Sequence, residues 1–149
     1  GGQNLFLTTT FIPIMKELII RRTEAGILAE KDERNAIELP GGELKEVATF
    51  IRKVWPYQER VEYIITDGEI KIKSELIFNR AVVYMLARAG GLSSQDAEAV
   101  AATLMDSEVN FIVDSLMYRI WLCSMSLDNC RKIVYAFSKI VKGYRHLVH

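Results

Sequence analysis

The stretch VEYIITDGEIKIKS, residues 61–74, alternates apolar and polar side chains on either side of Asp67-Gly68. Alternation of this kind reads as a half-buried strand, and Asp-Gly is the preferred pair for a two-residue type I′ turn, whose central residues need φ > 0. Closing the turn there pairs Ile65 with Ile70 and Tyr63 with Ile72, and on the other face sets Glu62 against Lys73 and Thr66 against Glu69. A lone hairpin is marginally stable in water. The face carrying Val61, Tyr63, Ile65, Ile70 and Ile72 is therefore expected to lie on a helix or a partner.

Outward from the hairpin, the chain reads as helical. Ile12, Met15, Ile19 and Ile20 recur at helical spacing and predict a helix from Phe11 to Ala25, with Pro13 in its first turn. The charged segment AEKDERNAIELPGG, Ala29 to Gly42, contains Pro40-Gly41-Gly42 and reads as a loop. A helix from Glu43 to Trp55 buries Leu44, Val47, Ala48, Ile51 and Val54 or Trp55, turns Lys45, Glu46, Arg52 and Lys53 outward, and stops at Pro56. Glu75 to Ala89 predicts another, ended by Gly90-Gly91, and Ser93-Ser94-Gln95-Asp96 caps a helix to about Met105. Asp106 or Ser107 caps a helix to about Ser124, apolar on nearly every side and so the expected central helix. Ser126 caps the last, Leu127 to Lys142. The prediction is a mainly α fold: a single domain over residues 1–149, built as a compact bundle of about six helices with one inserted β-hairpin at residues 61–73.

Composition excludes some classes of function. With 149 residues and 50% hydrophobic content, the chain suits one core without staples. Lys+Arg and Asp+Glu both total 19, so the net charge of zero gives no global steering toward nucleic acid or acidic membranes, and any binding patch must be local. Cys123 and Cys130 lie in apolar helical sequence and are too few for a disulfide framework, which predicts core packing and a reducing, cytoplasmic compartment. Residues 5–20 lack a basic leader and are interrupted by Lys16-Glu17, so they read as a core helix rather than a targeting segment. No apolar run is long enough for a transmembrane helix.

Enzyme signatures are missing. Gly41-Gly42 and Gly90-Gly91 each precede a helix, but neither fits a dinucleotide fingerprint or a phosphate loop, and turn and C-cap roles explain both. There is no nucleophile elbow, no H-E-x-x-H and no CxxC pair. His146 and His149 are the only histidines, with no neighbouring Cys, Asp or Glu to complete a metal site. No catalytic residue, metal, cofactor or small-molecule substrate is therefore expected. Asp114 stands among Ile112, Val113, Leu116 and Met117; a buried carboxylate there needs a cationic partner, and Arg80 or Arg88 is expected to supply it within the molecule or across an interface.

The positive signal is basic and aromatic residues at helical spacing. Arg80, Tyr84 and Arg88 are each four apart and form one stripe, and Arg131, Tyr135, Lys139 and Lys142 share a face of the last helix. From Asp128 to His149, five basic residues stand against one acidic. Such faces suit a phosphate backbone, with tyrosines to stack on exposed bases. The competing explanation is a solvated face, since Lys and Arg snorkel from core margins and tyrosines straddle the same boundary.

In the order of its elements, with VEYIITDGEIKIKS between the Glu43 to Trp55 helix and the helices from FNRAVVYMLARAGG onward, the chain resembles the small subunit of archaeal type I-A CRISPR effector complexes. The resemblance implies a non-catalytic antiviral-defence protein that polymerises along a guide-RNA complex and helps to hold target DNA. The leading expectation is thus a small helical subunit of a nucleoprotein complex, contacting RNA or DNA through the basic and aromatic faces, with other protein subunits or its own copies as partners. A protein–protein adaptor or self-assembling structural protein, viral ones included, is the alternative, and an enzyme without recognisable motif is the third reading.

Overall fold

A computed structural model of the chain describes residues 17–32 and 35–121, with side chains as far as Ser115. Among these residues there are five strands, β1 (Leu18–Arg22), β2 (Gly26–Asp32), β3 (Asn35–Pro40), β4 (Tyr63–Ile65) and β5 (Glu69–Ile72). Four helices accompany them: α1 (Leu44–Val54), α2 (Glu75–Ala89), α3 (Ser94–Thr103) and α4 (Asp106–Trp121). All strand pairs are antiparallel, in one sheet of order β3-β2-β1-β5-β4. The fold is mixed α/β. That corrects the expected mainly α bundle with a lone hairpin.

The hairpin keeps its predicted register, Tyr63 opposite Ile72 and Ile65 opposite Ile70. Its second strand is paired along its other edge with β1, placing Leu18 opposite Ile72 and Ile20 opposite Ile70. The turn is not type I′. Among the described residues the glycines with positive φ are Gly41 and Gly91, not Gly68. The Gly68 carbonyl accepts the Arg22 N–H at 3.1 Å, and the Thr66 N–H donates to the Glu69 carbonyl at 2.9 Å. A third strand thus shapes the loop, overriding the local preference of Asp-Gly.

β1 occupies part of the expected Phe11 to Ala25 helix, and β2 and β3 occupy the expected Ala29 to Gly42 loop. Each strand turns only two apolar side chains fully inward, Leu18 and Ile20, Ile27 and Ala29, Ile37 and Leu39. Arg21, Glu30 and Glu38 alternate with them on the other face. An antiparallel sheet with one solvated face needs no more apolar residues than this. So short a period-2 signal is easily taken for a loop or for one stripe of a helix. β2 also packs tightly at its start. A Cβ on Gly26 would come within 2.2 Å of the Leu39 carbonyl oxygen, so only glycine lets the backbone of β3 approach there.

The helices follow their sequence signals more closely. α1 buries Leu44, Val47, Ala48, Phe50 and Ile51. α2 begins after Ser74, whose hydroxyl accepts the Ile77 N–H, and α3 after Ser93, whose hydroxyl accepts the Asp96 N–H. The central helix is α2, buried without a break from Ile77 to Ala87. α4, expected in that place, exposes Asp106, Ser107, Asn110, Phe111 and Asp114. It docks through buried Val109 and Val113 and a polar seam in which Arg80 meets Asp106 and Asn79 meets Asn110. The sheet's inner face and the helices share one hydrophobic core. No described helix is long and apolar enough to cross a membrane. The predicted helix Leu127 to Lys142, both cysteines and both histidines lie outside the described residues.

Candidate nucleic-acid interface

Arg80, Tyr84 and Arg88 do form one line along α2, but Arg80 and Tyr84 are buried in the protein, and only Arg88, at the end of the line, is exposed. Arg80 is 8% exposed, and its guanidinium donates to the Ala101 carbonyl at 2.9 Å and to Asp106 at 2.6 Å, fastening α2 to α3 and the start of α4. Tyr84 is 2% exposed; its ring stacks on Phe50 with centroids 4.7 Å apart, and its hydroxyl donates to Glu46 at 2.8 Å. Arg88 Nε donates to the same Glu46 oxygen, and its Nη1 to the Leu92 carbonyl at 2.8 Å. The Arg88 hydrogen bond holds the Glu46 carboxyl below the usual carboxylate range, with the Tyr84 hydroxyl adding to it and partial burial opposing it. Burial, and then the Glu46 charge, push the Tyr84 phenol upward. Tyr84 and Arg88 thus tie α2 to α1 through Glu46, Arg80 ties α2 to α3 and α4, and the buried Arg80 and Tyr84 offer no surface to phosphates or bases.

Arg131, Tyr135, Lys139 and Lys142, the second predicted stripe, lie outside the described residues. Asp114 is ion-paired with Lys31 of β2 at 3.0 Å rather than with Arg80 or Arg88. It is a surface pair on the aspartate side, where the side chain is 63% exposed. Lys31 also reaches Glu75 at 2.6 Å. Burial pulls the Lys31 ammonium down, but hydrogen bonds to Glu75 and Asp114 outweigh it and leave its pKa above the ordinary value.

The structure brings a different set of cations together. A cleft of about 550 Å³ opens between α1 and the ends of β1, β4 and β5. One wall is α1, which presents Lys45, Thr49 and Arg52 at helical spacing along one side; the other carries Arg22 from β1 and Ile65, Thr66 and Asp67 from the hairpin. Leu44 and Ala48 complete an apolar lining with Ile65. The hydrogen bond from the Arg22 N–H to the Gly68 carbonyl locks the end of β1 to the hairpin turn, making the second wall one continuous backbone surface. Among the described residues, Arg22, Lys45 and Arg52 have no ion-pair partner, and all three are exposed. Three free guanidinium and ammonium groups thus face one carboxylate, that of Asp67.

The site leaves little trace in the sequence. Lys45 and Arg52 stand on the outward side of the α1 helix, where they resemble any solvated face. Arg22 lies in a segment whose apolar spacing predicts a helix, so nothing local connects it to the hairpin. The available signal was the i, i+4, i+7 series Lys45, Thr49, Arg52, basic at both ends and free of acids. No group that could assemble a metal site from His, Cys, Asp and Glu occurs among the described residues.

No family model matches the chain, and no curated protein or solved structure matches it either.

Proposed function

We propose that this protein works by binding, and that its ligand is the phosphate backbone of a nucleic acid held in the Arg22, Lys45 and Arg52 cleft. The observation that carries the reading is the row of cations without ion-pair partners among the described residues. Lys45 and Arg52 are seven residues apart on α1, which places them roughly 10 Å apart along the helix axis at 1.5 Å per residue. Nucleic acid rises about 3.4 Å per nucleotide on one strand, so the row spans several phosphates rather than one small anion. Arg22 across the cleft can grip the same strand from the other side. This keeps the nucleic-acid contact expected from sequence and proposes α1 and the hairpin for it in place of the α2 stripe; the Arg131, Tyr135, Lys139 and Lys142 stripe lies outside the described residues.

The test is fluorescence anisotropy with a labelled 20-nucleotide single strand over a salt series. Wild-type protein is expected to bind at low salt and to weaken linearly in log–log form as salt rises. The triple variant Arg22→Ala, Lys45→Ala, Arg52→Ala should keep its circular dichroism and melting temperature while losing roughly 2 to 3 from the slope, near 0.7 to 0.9 per phosphate contact removed. Binding that is indifferent to all three substitutions overturns the assignment.

A further inference from the structure

We infer that the cleft is built for unpaired bases that carry an amino group, cytosine above uracil in particular, with Asp67 as the residue that reads them; this rests on the binding reading above. Two hydroxyl hydrogens in the cleft are already spent. Thr49 Oγ1 donates its hydrogen to the Lys45 carbonyl at 2.9 Å, and Thr66 Oγ1 donates to the Glu69 carbonyl at 3.1 Å. A hydroxyl has one hydrogen and two lone pairs, so toward a ligand both threonines now act as acceptors. Asp67, when ionised, is acceptor-only as well. The cleft therefore has two chemistries. Arg22, Lys45 and Arg52 supply donors and positive charge, while Asp67, Thr49 and Thr66 supply acceptors.

A bare phosphate satisfies only the first set and is repelled by Asp67. A nucleotide with a free amino group satisfies both, its phosphate meeting the cations and its amine meeting the acceptors. Half-buried Ile65, with the edges of the core residues Leu44 and Ala48 at the cleft floor, gives a base ring an apolar contact. In a duplex one hydrogen of the cytosine amine still points into the major groove, but the ring is stacked between its neighbours, so a base that lies on this lining must be unpaired. Cytosine and uracil isolate the effect cleanly. They have the same ring, but cytosine presents an amino donor at C4 where uracil presents a carbonyl acceptor, which would face the Asp67 carboxylate unfavourably.

The experiment compares 12-nucleotide oligo(dC), oligo(dU) and a mixed-sequence 12-base-pair duplex by anisotropy at slightly alkaline pH and fixed low salt, using wild-type protein and Asp67→Asn. Wild type is expected to favour oligo(dC) over oligo(dU) by roughly fivefold or more and to bind the duplex more weakly than oligo(dC). Asp67→Asn offers both a donor and an acceptor and should bring the oligo(dC) to oligo(dU) ratio close to one, without lowering the salt dependence set by the three cations. Equal wild-type affinity for the two oligonucleotides, with salt-dependent binding intact, overturns this inference and leaves the phosphate-binding reading standing. Duplex bound as tightly as oligo(dC) likewise overturns it. Absence of salt-dependent binding to all three probes overturns both.

Discussion

The residues that decide the core's electrostatics are Arg80 and Glu46, and each makes a testable claim. Arg80 donates to a backbone carbonyl at Ala101 that has little access to water. Arg80→Met keeps the apolar stem but leaves that carbonyl short of a charged donor, and the expected cost in urea unfolding is about 2 to 3 kcal/mol. Asp114→Ala removes only an exposed partner of Lys31, which keeps Glu75, so its expected cost is under about 1 kcal/mol. A reversed order of these two costs would contradict the assignment of one as buried and the other as superficial. Glu46 has a folded-state pKa lowered mainly by Arg88. A lowered carboxyl pKa contributes stability that is fully present above the unfolded value, about 4.3, and is lost as pH falls through the folded value. Urea unfolding of wild type and Glu46→Gln should therefore differ at neutral pH and converge in acid below that range. A gap that widens on acidification would contradict the arrangement.

Among the elements, the sheet carries the main surprise, and two glycines test it in opposite directions. Gly26 begins β2 against the backbone of β3, where a Cβ meets the Leu39 carbonyl oxygen at 2.2 Å and the Gly41 nitrogen at 2.7 Å. Gly26→Ala must push those strands apart and is expected to cost about 1 to 3 kcal/mol or more. Gly68, at the hairpin turn, meets nothing within 4 Å and has no positive φ. Gly68→Ala is expected to stay within about 0.5 kcal/mol of wild type by thermal melting. A large loss at Gly68 would restore the type I′ turn that the Asp-Gly pair predicts and would deny β1 its role in shaping the loop. The hairpin register and the bounds of α1 and α2 were legible because their apolar residues are dense and periodic within one segment. β1, β2 and β3 were not, because what makes them strands is pairing. Leu18 finds Ile72 across more than half of the described chain, and a charged segment such as Glu30 to Asp32 becomes a strand only once Ile27 and Ala29 have a sheet to join.

At the scale of the whole molecule, the sheet assembles the candidate site: β1, the hairpin and α1 meet only because β5 pairs with β1, and the cleft lies where they meet. Of the two basic and aromatic stripes expected from sequence, the one on α2 has its Arg80 and Tyr84 buried, and the other lies outside the described residues. The amphipathic pattern of α2 does not reveal that Arg80 and Tyr84 point inward, since buried polar side chains with partners leave no trace in periodicity. Net neutrality of the chain fits a local patch rather than a global field. The most direct test of the central claim is a nuclear magnetic resonance titration of ¹⁵N-labelled protein with oligo(dC) at low salt. Chemical-shift changes are expected to concentrate at the backbone amides of Arg22, Lys45, Thr49, Arg52, Thr66 and Asp67 and at the side-chain Nε of Arg22 and Arg52, with Arg80 and Arg88 unmoved. Changes confined to other surfaces, with these residues silent, would contradict the account.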